Sequence, residues 1–432
     1  MNKKKIQDIK LIDIAVSQTG PFGSQLHEHD YVESGTPIVT VEHLGEIGFT
    51  HQNLPYVSDS DVERLSKYKL EEGDIVFSRV GAIDRCVYTK REEEGWLFSG
   101  RCIRVRCDKE KVNPLFLSYY FKTKEFKKMM LNVSVGATMP SLNTGIMNNL
   151  RLKLVDRELQ DKIAETLNII DSKIINNNKI NTELDSISKT IYDYWFIQYD
   201  FPNENGKPYR ASGGKMIWID ELKREIPDGW KVDNIGKLFE TNRGLSYNSS
   251  HLDGEGVPMI NLASFNNDGS YKPEGIKTYS GVYSDEKILK PYDLVMCNTQ
   301  QTAIDYKKDI IGKAFLVPDI FESDIVSSHH VTTFNVVNED MKFYLHNLFN
   351  TDYFHKYAAG YCSGTNILGL VFNGIENYTT EIPEPRVLKK FSEIMYDIEK
   401  RKSVIIKENQ ELAALRDWLL PMLMNEQITF KN

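Results

Sequence analysis

The chain has 432 residues, of which 41% are hydrophobic and 26% charged, with a formal net charge of −8. Its length suits two or more domains, and the acidic balance excludes a protein that coats nucleic acid through bulk positive charge, though not one with a local basic surface. No apolar run approaches a membrane span, MNKKKIQDIK at the start lacks the apolar core of a signal peptide, and the five cysteines are scattered, so a cytoplasmic protein with free thiols and no membrane partner is expected.

Residues 1–155 read as a β-rich domain, in which runs such as TPIVTVEHL (36–44), GDIVFSRVG (73–81) and RCIRVRC (101–107) alternate with Gly, Asp and Asn turns. A helix is predicted over 113–131, with Asn113 as its cap and Pro114 at its first position. The stretch 156–199 has no Gly or Pro and places apolar residues at Ile163, Leu167, Ile170, Ile174, Leu184, Ile191 and Trp195. Those intervals alternate between four and three, which marks a long helix lying lengthwise on another. Segment 200–229 is rich in Gly, Pro and Asn and reads as a linker. Residues 230–383 then repeat the first plan: GVPMINL echoes GTPIVTV, YDLVMCN echoes GDIVFSR, and 340–358 takes the place of the 113–131 helix. Residues 384–432 carry a second long helix.

Sliding the sequence along itself until Ile163 falls on Phe391 also places Leu167 on Met395, Ile170 on Ile398, Asn181 on Asn409, Leu184 on Leu412 and Ile191 on Leu419. The match needs no gap from Gly136 onward, and Ile405 continues the second seam. An α+β chain with a pseudo-two-fold repeat is expected, its two long helices paired antiparallel as a coiled coil. The polar seam positions Asn177, Asn181, Asn409, Lys402 and Arg416 weaken such a pair while fixing its register.

Motifs for chemistry are missing where they would be needed. No GxxxxGK[ST] loop cradles a nucleotide, no GxGxxG follows a strand, and the Pro-Pro turn of a DNA amino-methyltransferase does not occur. Asp220, Glu221 and Lys223 mimic a nuclease metal site only loosely and read as a solvated charge run. His27 with His29, and His329 with His330, lack placed carboxylate or thiolate partners, so metal and catalytic residues are both expected to be none.

Four stretches carry a family resemblance: GDIVFSRVGAIDR, GATMPSLN, LQDKIAETLNIIDSKI and YWFIQYDFPNENGKPYRASGGKMIWIDELKREIPDGW. With the repeat architecture, they make nearly the whole chain resemble the specificity subunit of a type I restriction–modification system. It departs from the family in three places: LVDRELQ replaces a proline-rich entry to the first helix, the second copy has no counterpart of Gln160, and only the second domain has the entry Pro227–Trp230. The resemblance implies target recognition domains at 1–155 and 230–383, conserved spacer helices at 156–199 and 384–432, and a linker at 200–229. It further implies that each domain reads half of a split, asymmetric double-stranded DNA sequence, and that the helices dock two methyltransferase subunits, through which restriction subunits join. S-adenosylmethionine, ATP and magnesium would belong to those partners, leaving no cofactor in this chain and no catalysis of its own.

Under that reading, side chains must reach base edges while others hold phosphates. The first-domain candidates are Arg79, Arg85, Lys90, Arg91 and Arg101. In the second domain the turn CNTQQTAIDYKKD offers Asn298, Gln300 and Gln301 for adenine and, with the following Lys313, offers Lys307 and Lys308 for phosphates. Thr138, Ser141 and Asn143, with Thr365 and Asn366 in the repeat, rank second and are also good turn formers. The alternative from another class is a scaffold of two ligand-binding modules on a helical hairpin, with no DNA role.

Overall fold

A computed structural model describes residues 6–22, 25–134, 140–301, 309–428 and 430. The chain divides into two compact units, Met1–Asn176 with Glu411–Asn432, and Asn177–Gln410.

The first unit is built on a four-stranded antiparallel sheet. Its strands are β1 (Ala15–Thr19), β2 (Ile75–Ser78), β3 (Cys86–Tyr88) and β4 (Cys102–Cys107), in the spatial order β1-β4-β2-β3. β2 is buried at every position, so its IVFS run is a core strand with no polar face. In β4 the arginines are structural, with Arg104 donating to the Lys69 carbonyl at 2.8 Å and Arg106 forking onto Asp74 at 2.8 and 2.7 Å. A second small sheet sets Thr36–Val39 parallel to Leu97–Phe98, and Gln7–Lys10 pairs with Arg151–Leu154.

The helix predicted over 113–131 is two helices, Pro114–Tyr120 and Lys124–Val133. Asn113 caps the first by accepting from the Phe116 amide at 3.0 Å. Thr123 then breaks the run, because its hydroxyl donates to the Tyr120 carbonyl at 2.7 Å and accepts from the Phe126 amide at 3.3 Å, starting a second helix.

The second unit repeats the plan. Its sheet comprises β5 (Phe239–Arg243), β6 (Leu294–Cys297), β7 (Ala314–Leu316) and β8 (Val331–Val336) in the order β5-β8-β6-β7, strand for strand that of the first. Leu252–Ile260 runs parallel to Val326–Ser327, Lys231–Asn234 pairs with Thr379–Ile382, and helices Met341–Phe349 and Asp352–Ala359 follow. The 200–229 stretch is more ordered than a bare linker: Met216–Ile219 and Arg224–Pro227 form a hairpin, and Phe201 and Ile226 enter the core.

Two long helices complete the units, α1 (Arg157–Tyr192, 36 residues) and α2 (Pro385–Met424, 40 residues). At 1.5 Å per residue they are about 54 and 60 Å long. α1 passes into a π-helical turn at Asp193–Ile197 that turns Trp195 and Phe196 into the second core. The pairing is antiparallel. In the second unit Asn177 meets Asn409, Asp185 meets Lys402 and Ser188 meets Met395, and in the first unit Asp171 meets Arg416. Among the described residues no helix is long and apolar enough to cross a membrane. Cys86, Cys102, Cys107 and Cys297 are buried free thiols, and burial pushes those of Cys102, Cys107 and Cys297 up to about 12.

Candidate nucleic-acid interface

At one end of the first sheet, three chain segments converge. As β2 ends, the Arg79 amide donates to the Arg101 carbonyl at 2.8 Å, and its guanidinium donates to the Gly100 carbonyl at 2.9 Å, lying 5.7 Å from the exposed Phe22 ring. Arg85 is exposed on the turn joining β2 to β3, which is anchored by the buried Ile83 and closed by Ser78 donating to the Arg85 carbonyl at 3.0 Å. Arg101 is exposed just before β4. Arg79, Arg85 and Arg101 thus form one basic rim, with forked donors suited to guanine edges or phosphates.

Lys90 and Arg91 do not belong to it. They follow the far end of β3, where Lys90 begins a short turn and its amide donates to Glu93 at 2.6 Å. Glu92, Glu93 and Glu94 follow at once, and burial raises the Glu93 carboxyl above its usual range. That acidic neighbourhood opposes a phosphate contact. Asn143 is exposed, but its carbonyl oxygen caps the helix Thr144–Asn148 by accepting from the Ile146 amide at 2.9 Å. Ser141 bridges Val80; Thr138 lies outside the described residues.

The second-domain candidates need more correction. Asn298 is 3% exposed, and its amide donates to the His329 carbonyl at 3.2 Å and the Thr332 hydroxyl at 2.8 Å. Gln300 accepts from the amides of Ile310 and Ile311 at 2.6 and 2.9 Å, holding a loop in place of reading a base. Lys313 is buried, and desolvation lowers its ammonium pKa. The Asn298 and Gln300 side chains satisfy groups of the protein itself, which the sequence pattern does not distinguish from facing a groove. Gln301 pairs through its backbone with Ile367, while Lys307 and Lys308 lie outside the described residues. Thr365 and Asn366 are exposed in a turn. The end of this sheet also carries Arg243, which the sequence pattern does not single out, and His329 and His330, which it offers only as a metal pair without partners. Aligning RCIRVRC with HVTTFNV, which sets Arg101 on His330, is the signal that finds them.

The helix seam is built from the residues its spacing named. Ile163, Leu167, Ile170 and Ile174 are buried on α1, as are Met395, Ile398 and Ile405 on α2; Leu184 and Ile191 pack on the second core and Leu419 on the first. Leu412 and Asn409 are half-buried. Asn177, 1% exposed, donates to Glu408 at 2.7 Å and Asn409 at 2.8 Å, and Asn409 donates to Asn178 at 2.8 Å. The Asn181 carbonyl oxygen is buried with no hydrogen-bond partner among the described residues. Lys402 lies between Asp185 and Glu399 at 2.6 and 2.9 Å, and Arg416 meets Asp171 at 3.1 Å, with Glu46 and Asp417 also in reach. Gln160 ties α1 to its domain by accepting from the Asn113 amide at 3.0 Å; Leu388 takes the matching place in α2 and is buried among apolar groups. Large apolar side chains also face outward, including Ile180, Ile187 and Tyr194 just after and along α1, and Val404, Leu415 and Trp418 on α2.

The charge run at Asp220–Lys223 is an exposed ion pair of 3.6 Å on a hairpin turn. His27 and His29 stack at 5.1 Å on the surface. Among the described residues, His51, Glu92 and Glu93 form a group able to hold a metal ion, and the His51 ring already lies 3.2 Å from Glu93.

A family model for the type I restriction modification DNA specificity domain matches twice, at residues 3–186 and 227–414. The chain is 24% identical over 319 residues to the type I restriction enzyme MjaIX specificity subunit of Methanocaldococcus jannaschii, covering 73% of this chain and 69% of that one. It is 24% identical over 428 residues to the HindI specificity subunit of Haemophilus influenzae, covering 88% and 91%. The fold is similar to the crystal structure of the type-I restriction-modification system S subunit from M. genitalium, with a TM-score of 0.56 at 11% identity over 100% of this chain and 98% of that one.

Proposed function

The chain belongs to the type I restriction–modification DNA specificity family, and from that premise we propose that each β-rich domain reads one half of a bipartite, asymmetric target in double-stranded DNA. The observation that carries this reading is the repeat itself. Two sheets of the same strand order end in the same backbone geometry but carry different side chains, with Arg101 on one and His330 on the other. Equal scaffolds with unequal readers suit a target whose halves differ in sequence.

The helical pair is the spacer between readers and the dock for two methyltransferase subunits. Its outward apolar side chains support that role, since Ile187, Val404 and Trp418 are 47%, 63% and 53% exposed and a docked partner would cover them. Restriction subunits join through the methyltransferase assembly. In this reading, catalysis belongs to the partners: the methyltransferase flips and modifies an adenine with S-adenosylmethionine, and the restriction subunits use ATP and magnesium. This chain supplies address and orientation.

Binding of the chain with its methyltransferase to a DNA library, measured at several salt concentrations, tests the reading. We expect sequence-selective binding that weakens steeply with salt, by about 10³ or more between 50 and 200 mM for six or more phosphate contacts. Salt-insensitive binding, or none, would favour a scaffold of two ligand-binding modules.

A further inference from the structure

The geometry points to His329 and His330 as base-reading residues of the second domain, standing where the first domain has Gly100 and Arg101. The inference rests on the DNA-reading function proposed above and names the side chains that carry one half of it.

The two sheet ends correspond bond by bond. Gly20 donates to the Cys102 carbonyl at 3.1 Å, and Gly244 to Val331 at 2.9 Å. The Arg79 amide donates to Arg101 at 2.8 Å, and that of Asn298 to His330 at 2.9 Å. Leu142 donates to the Arg79 carbonyl at 2.9 Å, and Leu370 to that of Asn298 at 2.9 Å. Even a side-chain contact is kept, with Arg79 donating to the Gly100 carbonyl at 2.9 Å and Asn298 to that of His329 at 3.2 Å. Both crossings need glycine, because a Cβ on Gly20 or Gly244 would sit 2.2 Å from the carbonyl oxygen of Ser99 or Ser328. Backbone this closely matched fixes the side chains of His329 and His330 at the same rim as Arg101.

The second rim also holds polar atoms left unpaired among the described residues. Asn298 Oδ1, Ser328 Oγ and His329 Nδ1 are buried without a hydrogen-bond partner among the described residues, and Asn298 and Ser328 are 3% and 0% exposed. Buried polar atoms are nearly always paired, and each orphan is costly, so three beside one sheet end mark a place where a polar ligand completes the set.

The imidazoles are already oriented. His330 Nδ1 lies 2.6 Å from the Thr299 hydroxyl, the two imidazole rings are 3.8 Å apart, and Tyr247 lies 5.5 Å from His329. Arg243, exposed beside them, donates through Nε to the His329 carbonyl at 2.8 Å and places a positive charge at the rim. Burial, with the neighbouring His329 and Arg243, holds the His330 ring below its ordinary pKa and so favours its neutral form. A neutral imidazole fixed through Nδ1 presents Nε2 to a base edge, whereas Arg101 presents a permanently charged fork. The two halves of the target are therefore read by different chemistry on one backbone plan.

The test uses the complex of this chain with its methyltransferase and compares wild type with His329→Ala, His330→Ala, His330→Gln and Arg101→Ala. Competition binding against duplexes altered one base at a time gives the discrimination in each half-site. We expect His330→Ala or His329→Ala to lower discrimination about tenfold at one or two positions of a single half-site, the one that Arg101→Ala leaves unchanged. His330→Gln, which keeps a donor and an acceptor, should retain part of it. Full discrimination in both His→Ala variants would overturn the proposal. So would an equal weakening of both half-sites with a lowered unfolding temperature, which marks a structural role. If the wild-type complex selects no sequence at all, the DNA-reading function fails, and this inference with it.

Discussion

His346 lies beside the helical pair of the second unit, facing Lys402 with Asp185 nearby. Burial, reinforced by the Lys402 charge, holds its pKa at about 3. The folded chain therefore keeps this ring neutral where the unfolded chain binds a proton near pH 6.5. The contribution to stability is complete above the unfolded pKa and is lost as pH falls from about 6.5 towards 3. Acidification from pH 7 to 5 should cost the second unit about 1–2 kcal/mol through this group. Urea unfolding of wild type and His346→Gln at the two pH values checks it, and the variant should lose less by that amount; equal losses would refute the assignment. Single residues were also where the sequence was least legible. Arg79, Arg85, Lys90, Arg91 and Arg101 could be named as candidates from their places at strand ends and turns, but only the fold separates the first two and Arg101 from Lys90 and Arg91. Asn298 and Gln300 could not be placed, because an amide serves a buried backbone group as readily as a base, and only the fold shows which it meets. His329 and His330 could be offered only as a metal pair without partners, and the match of β4 with β8 is what sets them at the sheet end.

The polar layer of the helical pair shows how an element trades stability for register. Asn177, Asn178 and Asn409 interlock in the second unit where apolar side chains would pack more tightly. Asn409→Leu should destabilise by about 1–3 kcal/mol, because it leaves the buried Asn177 amide with Glu408 alone. Asn177→Leu combined with Asn409→Leu should recover part or all of that loss, since the buried Asn177 amide leaves with its partner, and the acceptors left behind, half-buried Glu408 and exposed Asn178, can turn to water. Thermal unfolding of the two single variants and the double variant decides, and a double variant no more stable than the singles would show that the layer carries no such cost. Long elements were legible in advance: alternating intervals of four and three marked both α1 and α2, and the match of Ile163 with Phe391 gave the repeat. Short ones were less so. The break at Thr123 depends on one hydroxyl serving two backbone groups, and a hydrophobic pattern read at helical period does not register it.

At the scale of the whole molecule, each unit contains one β-rich domain and one part of each long helix. α1 and α2 therefore each contribute residues to both units, which makes their length a direct test of the proposed spacer role. Inserting seven residues after Asn178, with a matching heptad in α2, preserves the apolar seam because a heptad returns each residue to its face. It adds about 10 Å of helix, equivalent to about three base pairs of duplex. If the helices act as a ruler, the unread spacer of the target should lengthen by about three pairs, while the bases read in each half-site stay the same. Sequencing methylated adenines in a host that expresses the lengthened chain with its methyltransferase measures both quantities at once. An unchanged spacer would remove the ruler role. Altered half-site bases would instead show that the insertion had disturbed the sheet ends, where Arg101 and His330 stand.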